Sequence, residues 1–188
     1  RLIDYLDKNN LRDNTIIIFA SDNGGAVQAP LEELNCNAGF RGRKGILYEG
    51  GIKVPFIVNY PKRIKSGRTV SNIIYFPDVM PTLADYAQAK LPQNTDGISI
   101  KALLNGKEQD TSNRILYWEF PGNQVAIRKG HWKAVSVTKN SKLELYNIAN
   151  DPYEKTNLAD KHPEIISDFE KEIEKAHVAS PNWPVKGE

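Results

Sequence analysis

The chain has 188 residues, 40% of them hydrophobic and 26% charged, with a net charge of +2. That length carries a packed core in one medium domain, or one domain with a small appendage. The near-balanced charge gives no electrostatic ground for nucleic acid or an anionic membrane as partner. The longest apolar runs, Ile16–Ala20 and Val54–Val58, fall far short of a transmembrane helix, and the single cysteine, Cys36, excludes an internal disulfide and a thiolate zinc cluster.

The chain opens without Met on Arg1–Leu11, where Leu2, Ile3, Leu6 and Leu11 recur at helical spacing, and it reads as a piece of a longer protein. Asp13-Asn14 turns into Thr15–Phe19, a β-branched and aromatic run expected as a strand buried on both faces, hence in a parallel sheet. Ser21-Asp-Asn-Gly-Gly follows at the carboxyl end of that strand, where open α/β sheets place their ligands. An irregular loop, 26–38, leads to Gly39–Gly45, three cations among three glycines with no acid between them. Glu49-Gly50-Gly51 makes a turn before Val54–Tyr60, a second apolar strand in which Pro55 belongs among the first residues or at a bulge because it cannot donate to a ladder. Lys62–Arg68 is a basic loop and Val70–Phe76 is expected to be extended. Asp78–Ala89 predicts a helix capped by Asp78, with Pro81 in its first turn and Val79, Met80, Leu83, Ala84 and Ala87 on a core face. Ser99–Leu104 predicts a short helix stopped by Gly106.

Asn105–Asn113 is polar and marks a boundary, giving a main domain over 1–110 and a subdomain over 111–188. Beyond it Ile115–Phe120, Gln124–Arg128, Trp132–Thr138 and Leu143–Ile148 are short strands separated by tight turns, the pattern of an antiparallel meander. Pro163–Val178 gathers Ile165, Ile166, Phe169, Ile173 and Ala176 on one helical face, expected to cover the meander, with Asp168/Lys171 and Glu172/Lys175 paired on the other side. The fold class is α/β: a partial sheet with helices, then a small α+β subdomain of four antiparallel strands and one helix.

Asp22 and Asn23 offer a carboxylate and an amide carbonyl, hard oxygen donors suited to Ca²⁺, with Mg²⁺ as the alternative. The same pair also makes ordinary turns by bonding its own backbone. Arg41, Arg43 and Lys44 could surround a sulfate or phosphate with cationic and backbone donors, or form a solvated basic loop. Lys44 is the better candidate to steady negative charge on a leaving oxygen, being a compact charge. His131, His162 and His177 sit in the meander or the last helix and read as surface or packing residues.

In order, Ser21-Asp-Asn-Gly-Gly, Phe40-Arg-Gly-Arg-Lys-Gly-Ile-Leu-Tyr-Glu-Gly-Gly, Lys53-Val-Pro-Phe-Ile-Val and Asp78-Val-Met-Pro-Thr-Leu-Ala-Asp resemble the carboxyl-terminal half of the sulfatase family, within the alkaline-phosphatase-like superfamily. Ala126-Ile-Arg-Lys-Gly-His-Trp-Lys, Leu143-Glu-Leu-Tyr-Asn and Asp151-Pro continue the likeness, so that nearly the whole chain is covered. The arylsulfatases and the N-acetylgalactosamine-6-sulfatases carry such landmarks. The resemblance implies that Asp22 and Asn23 are two ligands of an active-site calcium, and that Lys44 contacts the sulfate group and its bridging oxygen. Arg41 and Arg43 would stand beside the substrate, and Glu49 behind Lys44 rather than on the substrate. Family members use a formylglycine made from Cys or Ser in a C/S-x-P-x-R segment. Cys36, in Asn-Cys-Asn-Ala-Gly, is not in such a segment, and the nucleophile is expected in a missing amino-terminal half.

The resemblance therefore implies part of a sulfuric ester hydrolase for a sulfated small molecule or glycan, such as a 6-sulfated hexosamine of a glycosaminoglycan. The isolated chain is expected to be inactive. Two other functions stay open: a phosphoester or phosphonate hydrolase of the same superfamily, and a non-catalytic module binding a glycan or protein through Trp118, Trp132 or Trp183. Relatives working in a lysosome, periplasm or outside the cell set the expected localisation. No nucleic-acid or membrane partner is expected. An apolar sheet edge left open would favour self-association.

Overall fold

The computed structural model describes residues 1–26, 34–91, 93–138 and 141–181. Its chain divides into two units, Arg1–Ala20 with Pro55–Ser112, and Ser21–Val54 with Asn113 onward. Ser21–Val54, which the sequence joins to the first 110 residues, thus makes its contacts with the carboxyl-terminal residues.

The first unit holds α1 (Leu2–Lys8), β1 (Ile17–Ala20), β2 (Phe56–Asn59), α3 (Val79–Ala87) and α4 (Lys101–Leu104). β1 and β2 pair antiparallel with Ile18 opposite Val58 and Phe19 opposite Ile57, which corrects the expected parallel partner. Ile18, Phe56 and Val58 line a small apolar cavity with Val79, Thr82 and Ile100. The opposite face is open among the described residues, with Phe19 63% and Ile57 59% exposed. Burial on both faces is therefore half realised. Pro55 stands just ahead of β2, where its missing donor costs nothing.

Val70–Tyr75 forms no strand; Ile73 N–H donates to Thr111 Oγ1 at 3.1 Å, and Phe76–Asp78 turns into a single 3₁₀ turn. Asp78 does not cap α3 with its side chain. Its two oxygens accept instead from the amides of Tyr75 and Ile98, at 3.0 and 2.9 Å, tying the helix entrance to the loop before α4. On α3 the buried residues are Pro81 and Thr82, whereas Met80 is half exposed. The face expected in the core lines an open apolar groove with Phe76, Val79, Met80 and Leu83.

In the second unit, β3 (Ile115–Phe120), β4 (Gln124–Lys129), β5 (Trp132–Ser136) and β6 (Glu144–Asn147) form the expected meander in the order β3-β4-β5-β6, all antiparallel. Alternation along the strands sends Ile127, Ala134 and Leu145 to one face, where α5 (Pro163–Ala176) lays Phe169, Ile165, Ile166 and Ile173 over them. The predicted helix pairs are present, Lys171–Asp168 at 3.4 Å and Lys175–Glu172 at 2.8 Å. Ala126, Val135, Tyr146 and Ile148 point to the other face and pack with Leu47 and Tyr48. That second layer comes from the glycine-rich stretch and its short helix α2 (Glu49–Ile52). Burying such side chains stabilises by about 1.5–3 kcal/mol each, so the meander is the platform on which the basic loop rests. Among the described residues no helix is long and apolar enough to cross a membrane.

Candidate active site

The residues singled out from sequence all lie in the second unit. At the turn after β1, Ser21 Oγ donates to Asn23 O at 2.8 Å and Asn23 Nδ2 donates to Gly24 O at 2.9 Å. The amide nitrogen is thereby occupied and the turn leaves Asn23 Oδ1 unused. Asp22 is exposed and has no hydrogen-bond or ion-pair partner among the described residues. These two oxygens fit a hard cation such as Ca²⁺, which takes roughly six to eight ligands. No group of three or more His, Cys, Asp or Glu side chains able to hold a metal occurs among the described residues.

The acid–amide turn and the basic loop are joined through the main chain. Lys44 N–H donates to Gly25 O at 3.0 Å, and Gly24 N–H donates to Gly51 O at 2.9 Å. Asn37 bridges them: its Oδ1 accepts from Gly25 N–H at 2.7 Å while its Nδ2 donates to Gly42 O at 2.8 Å. Asn37 escaped the sequence reading because a lone Asn in a loop has no periodicity to mark it.

Gly42 and Gly45, with φ of +83° and +87°, bracket Arg43-Lys44. Their left-handed backbone, open to glycine without strain, swings the loop back over α2. There Gly50 sits so close that an added Cβ would lie 2.5–2.6 Å from the carbonyl oxygens of Phe40, Arg41 and Gly42. The paired glycines of the Glu-Gly-Gly turn are thus required by contact rather than by backbone conformation.

The three cations part company. Arg43 and Lys44 are exposed, with no ion-pair partner among the described residues. Arg41 is held instead: its Nη1 donates to Tyr146 Oη at 2.7 Å, to Glu154 O at 3.1 Å and to Glu144 Oε2 at 3.3 Å, and its guanidinium lies 3.7 Å over the Tyr48 ring. Burial, with the Glu144 carboxylate alongside, pushes the Tyr48 and Tyr146 phenols well up. Both stay protonated and donate to Glu144 Oε2.

Beneath the loop, Lys133 of β5 is fully buried between Glu49 and Glu154, with Nζ 2.9 Å from Glu49 Oε1 and 2.8 Å from Glu154 Oε1. Glu154 Oε2 accepts the Glu49 amide at 2.7 Å. Glu49 accordingly stands behind the loop. Lys133 and Glu154 escaped the sequence reading, although a signal was there: Lys133 occupies the inward phase of Trp132–Val135, shared with Val135. The histidines stay outside this centre, His162 and His131 against the Trp132 ring and His177 bonded to Glu119. Trp118 and Trp132 pack against the two cores; Trp183 and most of the expected loop 26–38 lie outside the described residues.

Residues 40–179 match the family described as N-sulphoglucosamine sulphohydrolase, C-terminal. The chain belongs to the sulfatase family. A sulfatase of Formosa agariphila is 36% identical over 174 residues, 82% of this chain and 30% of that protein. The N-acetylgalactosamine-6-O-sulfatase of Bacteroides thetaiotaomicron is 31% identical over 92% of this chain and 38% of its own length. A solved structure from a Bacteroides thetaiotaomicron locus for metabolism of multiple glycosaminoglycans superposes with a TM-score of 0.80 at 28% identity, covering 93% of this chain and 41% of that one. The chain spans about a third of the length of the curated relatives it matches. A phosphonate monoester hydrolase of Agrobacterium radiobacter, 23% identical with a TM-score of 0.72, shares the fold.

Proposed function

We propose that this sulfatase chain contributes the metal-side turn and the leaving-group lysine of a sulfuric ester hydrolase acting on a sulfated sugar, of the 6-sulfated hexosamine class. The observation that carries the reading is the Lys44 N–H to Gly25 O bond, which fastens the basic loop to the Asp22-Asn23 turn. An oxyanion can then meet cation and metal ligands together. The amino-sugar substrate named for the Bacteroides thetaiotaomicron relative supports the sugar class.

Asp22 and Asn23 would hold the divalent cation with a carboxylate and a carbonyl oxygen, leaving other ligands to the rest of the protein. Lys44 binds a sulfate oxygen and the bridging oxygen, where it stabilises the negative charge that grows as the S–O bond breaks. One preorganised donor of this kind is worth about 10²–10³ in rate. Arg43 adds a second cation on the same exposed loop, and Arg41 acts through the loop's position. The formylglycine expected elsewhere in the protein supplies a covalent nucleophile.

Sulfate release from a 6-sulfated N-acetylhexosamine by the complete protein tests the reading. Turnover lost on chelation, restored by Ca²⁺ and lost again in Lys44→Ala is the expected pattern. A higher kcat/KM for a phosphonate monoester than for any sulfate ester would replace it with the phosphorus reading.

A further inference from the structure

We infer that Lys133, Glu49 and Glu154 form a buried positioning network that fixes where Lys44 stands. The inference rests on the proposed role of Lys44. Side-chain exposures are 0% for Lys133, 0% for Glu154 and 3% for Glu49. An ammonium and two carboxylates out of water are costly, and apolar side chains of similar volume would often stabilise a fold equally well or better. Stability alone therefore gives little reason for the trio.

What the ions add is direction. Lys133, the second residue of β5 and opposite Tyr146, reaches both carboxylates only with Glu49 in one place. Glu154 doubles the constraint, taking Lys133 Nζ on one oxygen and the Glu49 amide on the other. Glu49 opens α2, and the next two residues carry the loop: Gly50 N–H donates to Arg41 O at 2.6 Å, and a Cβ on Gly51 would fall 1.8 Å from Ile46 O and 2.6 Å from Arg43 O. The carbonyls on both sides of Lys44 thus rest on the backbone that Lys133 and Glu154 hold. Glu154 O also accepts from Arg41 Nη1, adding a second tie to the same loop.

No member of the trio is assigned a contact with substrate, so each acts through Lys44. Displacing a reacting group by about 1 Å can cost on the order of 10²-fold.

The test is a double-mutant cycle in the complete enzyme with a nitrophenyl sulfate, whose phenolate leaves readily enough to keep the Lys44→Ala rate measurable. With Lys44 present, Lys133→Met lowers kcat about 10²-fold with KM little changed; in the Lys44→Ala background the same substitution costs no more than a few-fold. Glu154→Gln, which keeps a one-to-one Lys133–Glu49 pair, shows a smaller loss with the same dependence on Lys44, and it decides the matter where Lys133→Met does not fold. Equal losses in both backgrounds, or unchanged kcat in a folded variant, overturn the network. Wild-type turnover by Lys44→Ala alone overturns the reading of Lys44 itself, a separate result seen before either network variant is made.

Discussion

The main-chain N–H of Lys44 is donated to the carbonyl oxygen of Gly25, 3.0 Å away, so the basic loop and the Asp22-Asn23 turn are joined by a main-chain hydrogen bond. A side chain as long as lysine has about 2 kcal/mol of rotamer entropy, and fixing its backbone limits how far the ammonium strays. Lys44→Ala should therefore act on chemistry and leave the fold alone. On the role proposed for Lys44 at the leaving oxygen, the loss should grow with the basicity of that oxygen, larger for a sugar sulfate than for a nitrophenyl sulfate. Equal losses across a series of leaving groups would confine Lys44 to binding the sulfate group.

Asn37 joins the same two segments from the side, through Gly25 N–H and Gly42 O. Asn37→Ala removes both side-chain bonds at once and leaves the Asp22-Asn23 turn held to the loop and α2 by the main-chain bonds of Lys44 and Gly24 alone. Substituting partners that orient metal ligands typically costs about 10–100-fold in metal affinity or activity. A comparable fall in Ca²⁺ affinity is expected by calorimetry, with Asn37→Asp intermediate because it keeps the acceptor and loses the donor. Unchanged affinity in a folded Asn37→Ala protein would separate the turn from the loop.

Gly50→Ala would bring a methyl to 2.5–2.6 Å of three backbone carbonyls, none of which can rotate away as a side chain does. Overpacking typically costs about 1–3 kcal/mol, and the rigid neighbours place this site at the upper end. Gly67, with φ +75° and nothing within 4 Å of a built Cβ, is the control: its replacement meets conformational strain alone, of about 1–2 kcal/mol. Denaturant midpoints compare the two. A Gly50→Ala loss no larger than that of Gly67→Ala would show that the loop can lift off α2.

What the sequence discloses follows the reach of its signals. The meander and α5 are legible because period-2 and period-3.6 patterns sit on elements that bury their faces inside this chain. The same rules misplace β1 and α3: Phe19, Ile57 and Met80 are apolar as a core requires, yet 50–63% exposed here. Their pattern specifies burial without saying by what. In the site, Asp22, Asn23 and Lys44 announce themselves by residue type next to glycines. The supports do not, because Lys133, Glu154 and Asn37 reach the loop from 84, 105 and 5–12 residues away, and no local pattern encodes such meetings. Arg41 shows the converse, a cation in the right motif whose donors go to Tyr146, Glu154 and Glu144.

Burial raises the Glu154 carboxyl above its ordinary value, against the opposing pull of Lys133 and of the Glu49 amide. The folded protein therefore holds that proton to higher pH than the unfolded chain does. The resulting stabilisation is complete below the ordinary Glu value and is lost as pH climbs through the raised one. Glu154→Gln keeps an uncharged acceptor for the Glu49 amide and removes the titration. As pH rises from the ordinary Glu value through the raised one, the wild-type denaturation midpoint should fall relative to that of the variant. Parallel curves would mean that Glu154 carries the same charge, folded or unfolded.

Phe19 and Ile57 are directly opposed across β1 and β2, and both project to the open face of a sheet that has only two strands among the described residues. Apolar surface of this kind, beside strand edges with free backbone groups, favours association with another copy. The 188-residue chain expressed alone should sediment as an oligomer whose size rises with concentration, and Phe19→Lys with Ile57→Thr should return it to monomer. The inner residues Ile18 and Val58, which line the cavity against α3, are untouched by the change, so the unit's own packing should survive. Association that persists in the double variant would move the contact to the groove of Phe76, Met80 and Leu83, where Met80→Lys is the corresponding substitution.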